Sequence, residues 1–200
     1  MNTTIQAPAS HSRITGLILA GGLGRRMGNV DKGLEPFRGR TLVESVIERF
    51  RPQVATLIIS ANRNLERYRA CGFPVVPDRD GDFAGPLAGL QAGLAACATP
   101  LLATAPCDSP FLPADLVARL LAALTESGAP VAVARCDGHL QPVFLLVRRE
   151  AAASLDRHLA GGERKAESWL VSIGATAADF PDPRAFTNFN TRDALQNPET

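Results

Sequence analysis

The sequence predicts a single three-layer α/β domain with a mostly parallel sheet. Short apolar runs of strand length alternate with helical stretches from residue 14 onward, which is typical of a sheet covered by helices on both faces. The chain has 200 residues, the size of one domain, and 46% of them are apolar, enough for a substantial core. Two predicted strands end in a glycine cluster and in Asp108, where sheets of this class bind ligands.

The first half of the chain is predicted to contain four strands and three helices. The first strand, around residues 17–19, runs into the glycine cluster, and Thr41 and Glu44 have the spacing of a capping box that opens the first helix. Pro86 suits the first turn of the third helix, whose Ala and Gly content predicts close packing against a neighbour. The remaining strands are predicted at 54–59, 74–77 and 101–105, and the helices at 41–52, 64–71 and 86–98.

The second half is predicted to add an antiparallel pair of strands to the parallel sheet. Residues 131–135 and 140–147 form these strands, joined by a turn at Asp137 and Gly138. Helices are expected at 113–126, 149–159, 163–173 and 191–195, and an edge strand at 176–180. Residues 1–13 are polar and predict a disordered tail, so that 14–200 form the single domain.

Charge and cysteine content exclude several classes of protein. A net charge of +1 lacks the basic excess of a nucleic-acid-binding or membrane-surface protein, and no apolar run approaches the roughly 20 residues of a membrane span. The four cysteines and three histidines are irregularly spaced, so neither a disulfide framework nor a zinc site is expected. We expect a cytoplasmic protein with reduced thiols that is monomeric.

The glycine cluster after the first strand has the composition of a phosphate-binding loop. Glycines leave backbone N–H groups open to an anion, and Arg25, Arg26 and Lys32 add positive charge at the same place. Two familiar patterns do not match. The dinucleotide fingerprint lacks its third glycine at Met27, and the Walker pattern fails because Lys32 is followed by Gly33.

The segment from Leu19 to Gly28, followed by Asp31 and Lys32, resembles the signature of nucleotidylyltransferases. These enzymes join the nucleoside monophosphate of an NTP to a phosphorylated acceptor and release pyrophosphate. Four further segments make the chain similar to the molybdenum cofactor guanylyltransferase family, which attaches GMP to molybdopterin. These segments are 60–63, 77–78, 85–89 and 105–110, and with 186–191 they extend the resemblance over about residues 14–195.

The resemblance implies a GTP site in residues 14–110. Arg26, Lys32 and Asp108 are the implied catalytic residues, and Asp108 is also the implied Mg²⁺ ligand. Mg²⁺ typically binds one or two carboxylates together with substrate phosphates, so a single strand-end Asp suffices. Ser60 stands where family members typically have Asn. The implied GTP-binding residues are Leu19, Ala20, Gly21, Gly22, Lys32, Ser60, Asn62, Asp78, Gly85 and Asp108.

The resemblance places the acceptor in residues 111–200. Its implied binding residues are Gln141, Arg164, Lys165, Asn188 and Asn190. Molybdopterin ends in a phosphate monoester, whose second pKa is near 6, so it is already a dianion at pH 7 and needs no general base. The resemblance also implies transient contacts with proteins that supply molybdopterin and with apo-molybdoenzymes or their chaperones.

The residues leave some alternatives open. Asp78 can accept from the N1–H and N2–H₂ edge of guanine or from a ribose hydroxyl. The same chemistry with CTP, or with a sugar-phosphate acceptor, is the nearest alternative function. A nucleotide-binding adaptor without turnover is a third, although binding alone would not require a metal ligand at the α-phosphate.

Overall fold

A seven-stranded sheet forms the centre of the computed structural model, which describes residues 13–21, 30–78 and 85–189. In chain order its elements are β1 (Ile14–Leu19), β2 (Pro36–Phe37), β3 (Arg40–Thr41), α1 (Leu42–Phe50), β4 (Thr56–Ser60), α2 (Leu65–Arg69), β5 (Val75–Val76), α3 (Pro86–Ala96), β6 (Leu101–Pro106), α4 (Leu116–Ser127), β7 (Val131–Cys136), β8 (His139–Arg148), α5 (Ala152–Ala160), α6 (Ala166–Ser172) and β9 (Thr176–Phe180).

The strand order is β5-β4-β1-β6-β8-β7-β9. Strand β8 runs antiparallel to both of its neighbours, and the other adjacent pairs are parallel. The turn between β7 and β8 has positive φ at Asp137 (48°) and Gly138 (76°), as a type I′ hairpin turn requires. The predicted fold class, the antiparallel pair and the edge strand at 176–180 are therefore confirmed.

Helices cover both faces of the sheet. Buried side chains of α1, α2 and α4 form one core with one face, around Phe50, Tyr68 and Leu120. Those of α3, α5 and α6 form a second core with the opposite face, around Leu90, Leu155 and Trp169. The architecture has the three predicted layers.

Helix α3 packs against the sheet through two glycines one turn apart. A Cβ on Gly93 would lie 2.4 Å from Cδ2 of Leu17, and one on Gly89 would lie 2.8 Å from Oγ of Ser60. Both distances are too short for any side chain, so the helix backbone rests directly on β1 and β4. The close packing that the composition predicted is confirmed, and it brings the first turns of α3 next to the ends of these strands.

The structure differs from the predicted elements in a few places. Strands β2 and β3 form a hairpin that was not predicted, because strands of two residues are too short to show an alternating apolar pattern. The helices predicted from 149 and 163 begin at Ala152 and Ala166, the first after a 3₁₀ turn at Arg149–Ala151. Residues 1–12 of the tail predicted at 1–13, and the helix predicted at 191–195, lie outside the described residues. Within the described ranges, no helix has the length and apolar character to cross a membrane.

Candidate active site

Four parallel strands end at the same edge of the sheet, which we call the carboxyl edge, at Leu19, Ser60, Val76 and Pro106. Backbone hydrogen bonds continue past these ends. Ala20 N donates to Ser60 O (2.8 Å), and Cys107 N donates to Leu19 O (3.1 Å). The residues that follow the strands therefore remain in register and project together from this edge.

Lys32 and Asp108 form an ion pair at the carboxyl edge. Nζ of Lys32 lies 3.3 Å from Oδ2 of Asp108, and the two side chains are 24% and 13% exposed. Asp108 is the second residue after the end of β6, whereas Lys32 begins a 3₁₀ turn, Lys32–Leu34, that follows the glycine cluster in the sequence. Burial raises the pKa of the Asp108 carboxyl, and the Lys32 ammonium opposes this by favouring the carboxylate. The structure thus brings together two of the three predicted catalytic residues.

A buried cluster holds the turn that carries Lys32. Asp31 accepts hydrogen bonds from the hydroxyl of Tyr68 (2.5 Å) and from Nδ2 of Asn64 (2.9 Å). Nη2 of Arg63 donates to Val30 O (2.9 Å), and its Nε lies 3.8 Å from Asp31. Val30 and Asp31, the two residues before Lys32, are therefore tied to α2 and to the residues just before that helix.

Asp78 is held by two side chains from the end of β4. Nδ2 of Asn62 donates to Oδ2 of Asp78 (2.7 Å), and Oδ1 of Asn62 accepts from Asp78 N (2.8 Å). The hydroxyl of Ser60 donates to Oδ1 of Asp78 (3.3 Å). A Cβ on Gly21 would lie 3.8 Å from this carboxylate and 3.3 Å from Asn62. Asp78, Asn62 and Gly21 are therefore immediate neighbours, as predicted.

Ser60 is buried. Only 1% of it is exposed, and its hydroxyl faces Asp78 under Gly89. The family resemblance implies that Ser60 binds GTP; in this structure its hydroxyl donates to Asp78, another residue of the implied GTP site. The side-chain amide that both donates to and accepts from Asp78 belongs to Asn62, two residues later.

The segment near the end of the described chain returns to Asp108. Phe189 N donates to Asp108 O (3.0 Å), and Oδ1 of Asn188 accepts from the Ser109 hydroxyl (2.5 Å). The Phe189 ring packs on Phe37 and Phe111, with ring centroids 5.1 and 5.7 Å away. The predicted acceptor residue Asn188 therefore lies beside the metal candidate.

Gln141, Arg164 and Lys165 lie towards the same end of the molecule. Gln141 is partly buried near the start of β8, which begins where β7 ends. Strand β8 runs antiparallel to β6 and ends beside the start of β6, at the opposite edge of the sheet, and α5 begins shortly after it. From there α5 packs on the sheet beside α3, with Gln91 donating to Asp156. The connection from α5 to α6, which contains Arg164 and Lys165, therefore lies towards the carboxyl edge. Nη1 of Arg164 donates to the carbonyls of Leu159 and Glu163, so it also closes the end of α5.

Some predicted residues cannot be placed. Gly22, Arg26 and Asn190 lie outside the described residues, as does the neighbouring Arg25. Gly85 is described and has φ of 81°, a conformation that favours glycine, directly before Pro86 opens α3. In the part of the chain that the structure describes, no group of three or more His, Cys, Asp or Glu side chains forms a metal site.

The buried cluster around Asp31 was missed by sequence reasoning. Asp31 belongs to the signature segment, but the pattern assigned it no role. Tyr68 occupies an apolar position of a short helix, and its hydroxyl partner lies 37 positions earlier in the chain. The sequence offered only the position of Asp31, immediately before Lys32 in the signature segment. That Asp31 is 8% exposed, and therefore needs polar partners, is visible only in the fold.

Comparison with known proteins agrees with this geometry. Residues 16–176 match the family described as the MobA-like NTP transferase domain. The chain is 52% identical over 192 residues to the molybdenum cofactor guanylyltransferase of Cupriavidus necator, which covers 94% of this chain and 96% of the relative. It is 50% identical over 182 residues to the protein of that name from Bordetella pertussis, covering 89% and 92% of the two chains.

The solved structures share the fold. Molybdopterin-guanine dinucleotide biosynthesis protein A from Archaeoglobus fulgidus superposes with a TM-score of 0.74 at 22% identity, covering 92% of this chain and 96% of that one. The structural likeness shows the fold, and the family match over most of the chain, with relatives near 50% identity, shows the family. The chain belongs to the MobA-like NTP transferases, the family of the molybdenum cofactor guanylyltransferases.

Proposed function

We propose that the protein transfers GMP from GTP to the terminal phosphate of molybdopterin carrying molybdenum, forming the guanine dinucleotide cofactor and releasing pyrophosphate. The name shared by relatives that are about half identical over nearly the whole chain supports the substrates. The observation that carries the chemistry is the ion pair of Lys32 and Asp108 beside Leu19, Ala20 and Gly21.

The reaction needs charge stabilisation more than proton transfer. An oxygen of the acceptor phosphate attacks the α-phosphorus of GTP, the bond from that phosphorus to the bridging oxygen breaks, and pyrophosphate leaves. Because the acceptor is a dianion at pH 7, no general base is required. We propose that the Lys32 ammonium, which pairs with Asp108, offsets the charge that builds up around the α-phosphate, and that Arg26 assists it.

We propose that Asp108 is a Mg²⁺ ligand. Its largely buried carboxylate pairs with the Lys32 ammonium, and among the described residues no group of three or more His, Cys, Asp or Glu side chains forms a metal site of its own. This donor set fits Mg²⁺, which prefers few protein ligands together with phosphate oxygens and water. When bound, the ion supplies positive charge that offsets the charge of the triphosphate.

Asp78 is proposed to select the nucleotide. Its carboxylate is fixed by Asn62 and Ser60 and lies next to Gly21, whose missing side chain leaves room for a ligand. A carboxylate has about four acceptor positions, so these two donors leave capacity for guanine N–H groups or for a ribose hydroxyl.

The acceptor is proposed to lie between Asp108 and the C-terminal half, near Asn188, Gln141, Arg164 and Lys165. Asn188 reaches the carboxyl edge through its contact with Ser109. The cationic side chains of Arg164 and Lys165 suit a phosphorylated acceptor. We further propose that the protein works in the cytoplasm as a monomer and contacts molybdopterin-supplying proteins, apo-molybdoenzymes or their chaperones transiently.

One assay tests this function. The protein is incubated with Mg²⁺, molybdopterin carrying molybdenum and each of the four NTPs separately, and pyrophosphate and the dinucleotide product are measured. We expect turnover with GTP and little with the other three. Equal or better use of CTP would overturn the guanylyl assignment. Absence of turnover with every NTP would point to a nucleotide-binding protein without catalysis.

A further inference from the structure

The side chain of Asp31 does not cap the turn that it precedes. Asp31 occupies the N-cap position of Lys32–Leu34 but makes no side-chain hydrogen bond to that turn. Instead its two oxygens accept from Tyr68 and Asn64, at 2.5 and 2.9 Å. The residue that immediately precedes the turn is therefore anchored from outside the turn, by Tyr68 of α2 and by Asn64, the N-cap of that helix.

The Tyr68 hydroxyl also lies against the middle of the same turn. A Cβ on Gly33 would be 2.6 Å from this oxygen and 3.1 Å from Sγ of Cys107. Gly33 follows Lys32, and Cys107 precedes Asp108. One buried hydroxyl is thus in contact with Asp31 and Gly33, the two residues that flank Lys32, while Cys107, which precedes Asp108, packs against the same glycine.

The hydroxyl keeps its proton in this environment. Burial raises the pKa of Tyr68 far above its ordinary value, and the neighbouring Cys107 and Asp31 raise it further. This raised pKa favours the protonated hydroxyl, which donates to Asp31.

We propose that Tyr68 is a positioning residue for nucleotidyl transfer: its hydrogen bond to Asp31 fixes the turn that directs the Lys32 ammonium towards Asp108 and the α-phosphate. This rests on the function proposed above. Because displacement of a catalytic group by about 1 Å can cost about a hundredfold in rate, a rigid anchor behind Lys32 matters even though Tyr68 touches no substrate.

A double-mutant cycle tests whether Tyr68 affects turnover through Lys32. Tyr68→Phe removes only the hydroxyl, and we expect it to lower kcat by about tenfold or more while KM for GTP changes by less than about threefold. In a Lys32→Met background the same change is expected to alter the residual kcat by less than about twofold, because the positioned group is gone. An equal loss of kcat in both backgrounds would show a merely structural role and overturn the proposal.

The two lysines of the chain, Lys32 and Lys165, allow a readout that does not depend on activity. Lysine labelled with ¹³C at Cε gives one NMR signal for each, and Lys165, at the start of α6, serves as an internal reference. Tyr68→Phe is expected to shift and narrow the Lys32 signal, because the side chain gains freedom, and to leave that of Lys165 unchanged. An unchanged Lys32 signal would contradict the proposal.

A matched control separates positioning from general destabilisation. Gln53 is also a buried polar residue that links segments, donating to the carbonyls of Arg49 and Pro113 and accepting from Val117 N. Gln53→Leu is expected to lower the unfolding temperature without changing kcat or the Lys32 signal. If the wild-type protein turned over no NTP, the proposed function would fail, whereas the NMR comparison would still decide whether Tyr68 holds Lys32.

Discussion

At the scale of single residues, buried polar side chains hold the charged ones of the site in place. Asp78 is fixed by Asn62 and Ser60, and the turn carrying Lys32 is fixed through Asp31. Each of these contacts satisfies a polar group that would be costly to bury alone, so the contacts serve stability and geometry together. The site is consequently sensitive to changes that leave every charge in place.

Gly33→Ala tests this sensitivity directly. The new Cβ would lie 2.6 Å from the hydroxyl of Tyr68, which is fully buried and cannot move aside. Overpacking of this kind typically costs about 1–3 kcal/mol, and we expect a loss of this size in urea unfolding together with reduced turnover. In a Tyr68→Phe background, where the opposing oxygen is absent, the extra cost of Gly33→Ala should be smaller. Full additivity of the two changes would contradict the contact.

The residues that the sequence could indicate are those whose chemistry is local. Lys32 stands within a recognisable glycine and cation pattern, and Asp78 and Asp108 each follow a strand. Contacts between neighbouring residues of the site, such as those of Asp31 with Tyr68 and of Asn188 with Ser109, could not be predicted from the local pattern, because the two partners are distant in the chain. Asn188 meets Ser109 from 79 positions away, and nothing in either local pattern indicates that contact.

At the scale of elements, the start of α1 shows how a local motif fixes a boundary. Glu44 N donates to the Thr41 hydroxyl, and the Glu44 carboxylate accepts from Thr41 N and from that hydroxyl (both 2.7 Å). Both partners lie within four residues, so the sequence was sufficient to predict this cap. The hairpin of β2 and β3 was not predictable in the same way, because two residues are too few to show the alternation of apolar and polar side chains that marks a strand.

The capping box makes a pH-dependent contribution to stability. Hydrogen bonds from the Thr41 side chain and backbone lower the pKa of Glu44 from its ordinary value of 4.5. The folded state therefore favours the carboxylate, and its contribution is present above about pH 4.5 and is lost as the pH falls through the lowered folded pKa. We expect Glu44→Gln to destabilise the protein in urea unfolding at pH 7 and to have a smaller effect at pH 3.5.

Two variants complete that experiment. Thr41→Ala removes the cap itself and should cost about 1 kcal/mol at pH 7. Glu126→Gln, in the last turn of α4, removes the same charge away from any N-terminal cap and should lack the pH dependence. If Glu44→Gln were equally destabilising at both pH values, the stabilising role of the ionised carboxylate would be wrong.

At the scale of the whole molecule, one sheet brings the two halves of the chain to a shared edge. The parallel strands β1, β4, β5 and β6 present Gly21, Asp78 and Asp108, while Phe189 and Asn188 return to Asp108 from the C-terminal half. A parallel sheet makes this convergence predictable, since all its strands end on one side. The return of residues 186–189 was indicated by family resemblance alone, because no periodic pattern links that segment to β6.

If Asp108 and Lys32 form the transfer centre, Asp108→Asn should lose turnover and keep GTP binding, and both are measured in this variant. We expect pyrophosphate release to fall by about a hundredfold or more, the usual cost of losing one charge-stabilising group. GTP binding measured by calorimetry in EDTA should survive. The variant loses only the ion pair with Lys32, so that the Lys32 ammonium and the other proposed nucleotide contacts remain available to GTP. Asp156→Asn, which alters an Asp bound to Gln91 on the outer helices, should retain wild-type turnover. Turnover by Asp108→Asn within about twofold of wild type would contradict the account, because Asp108 would then contribute neither charge nor a metal ligand to the reaction.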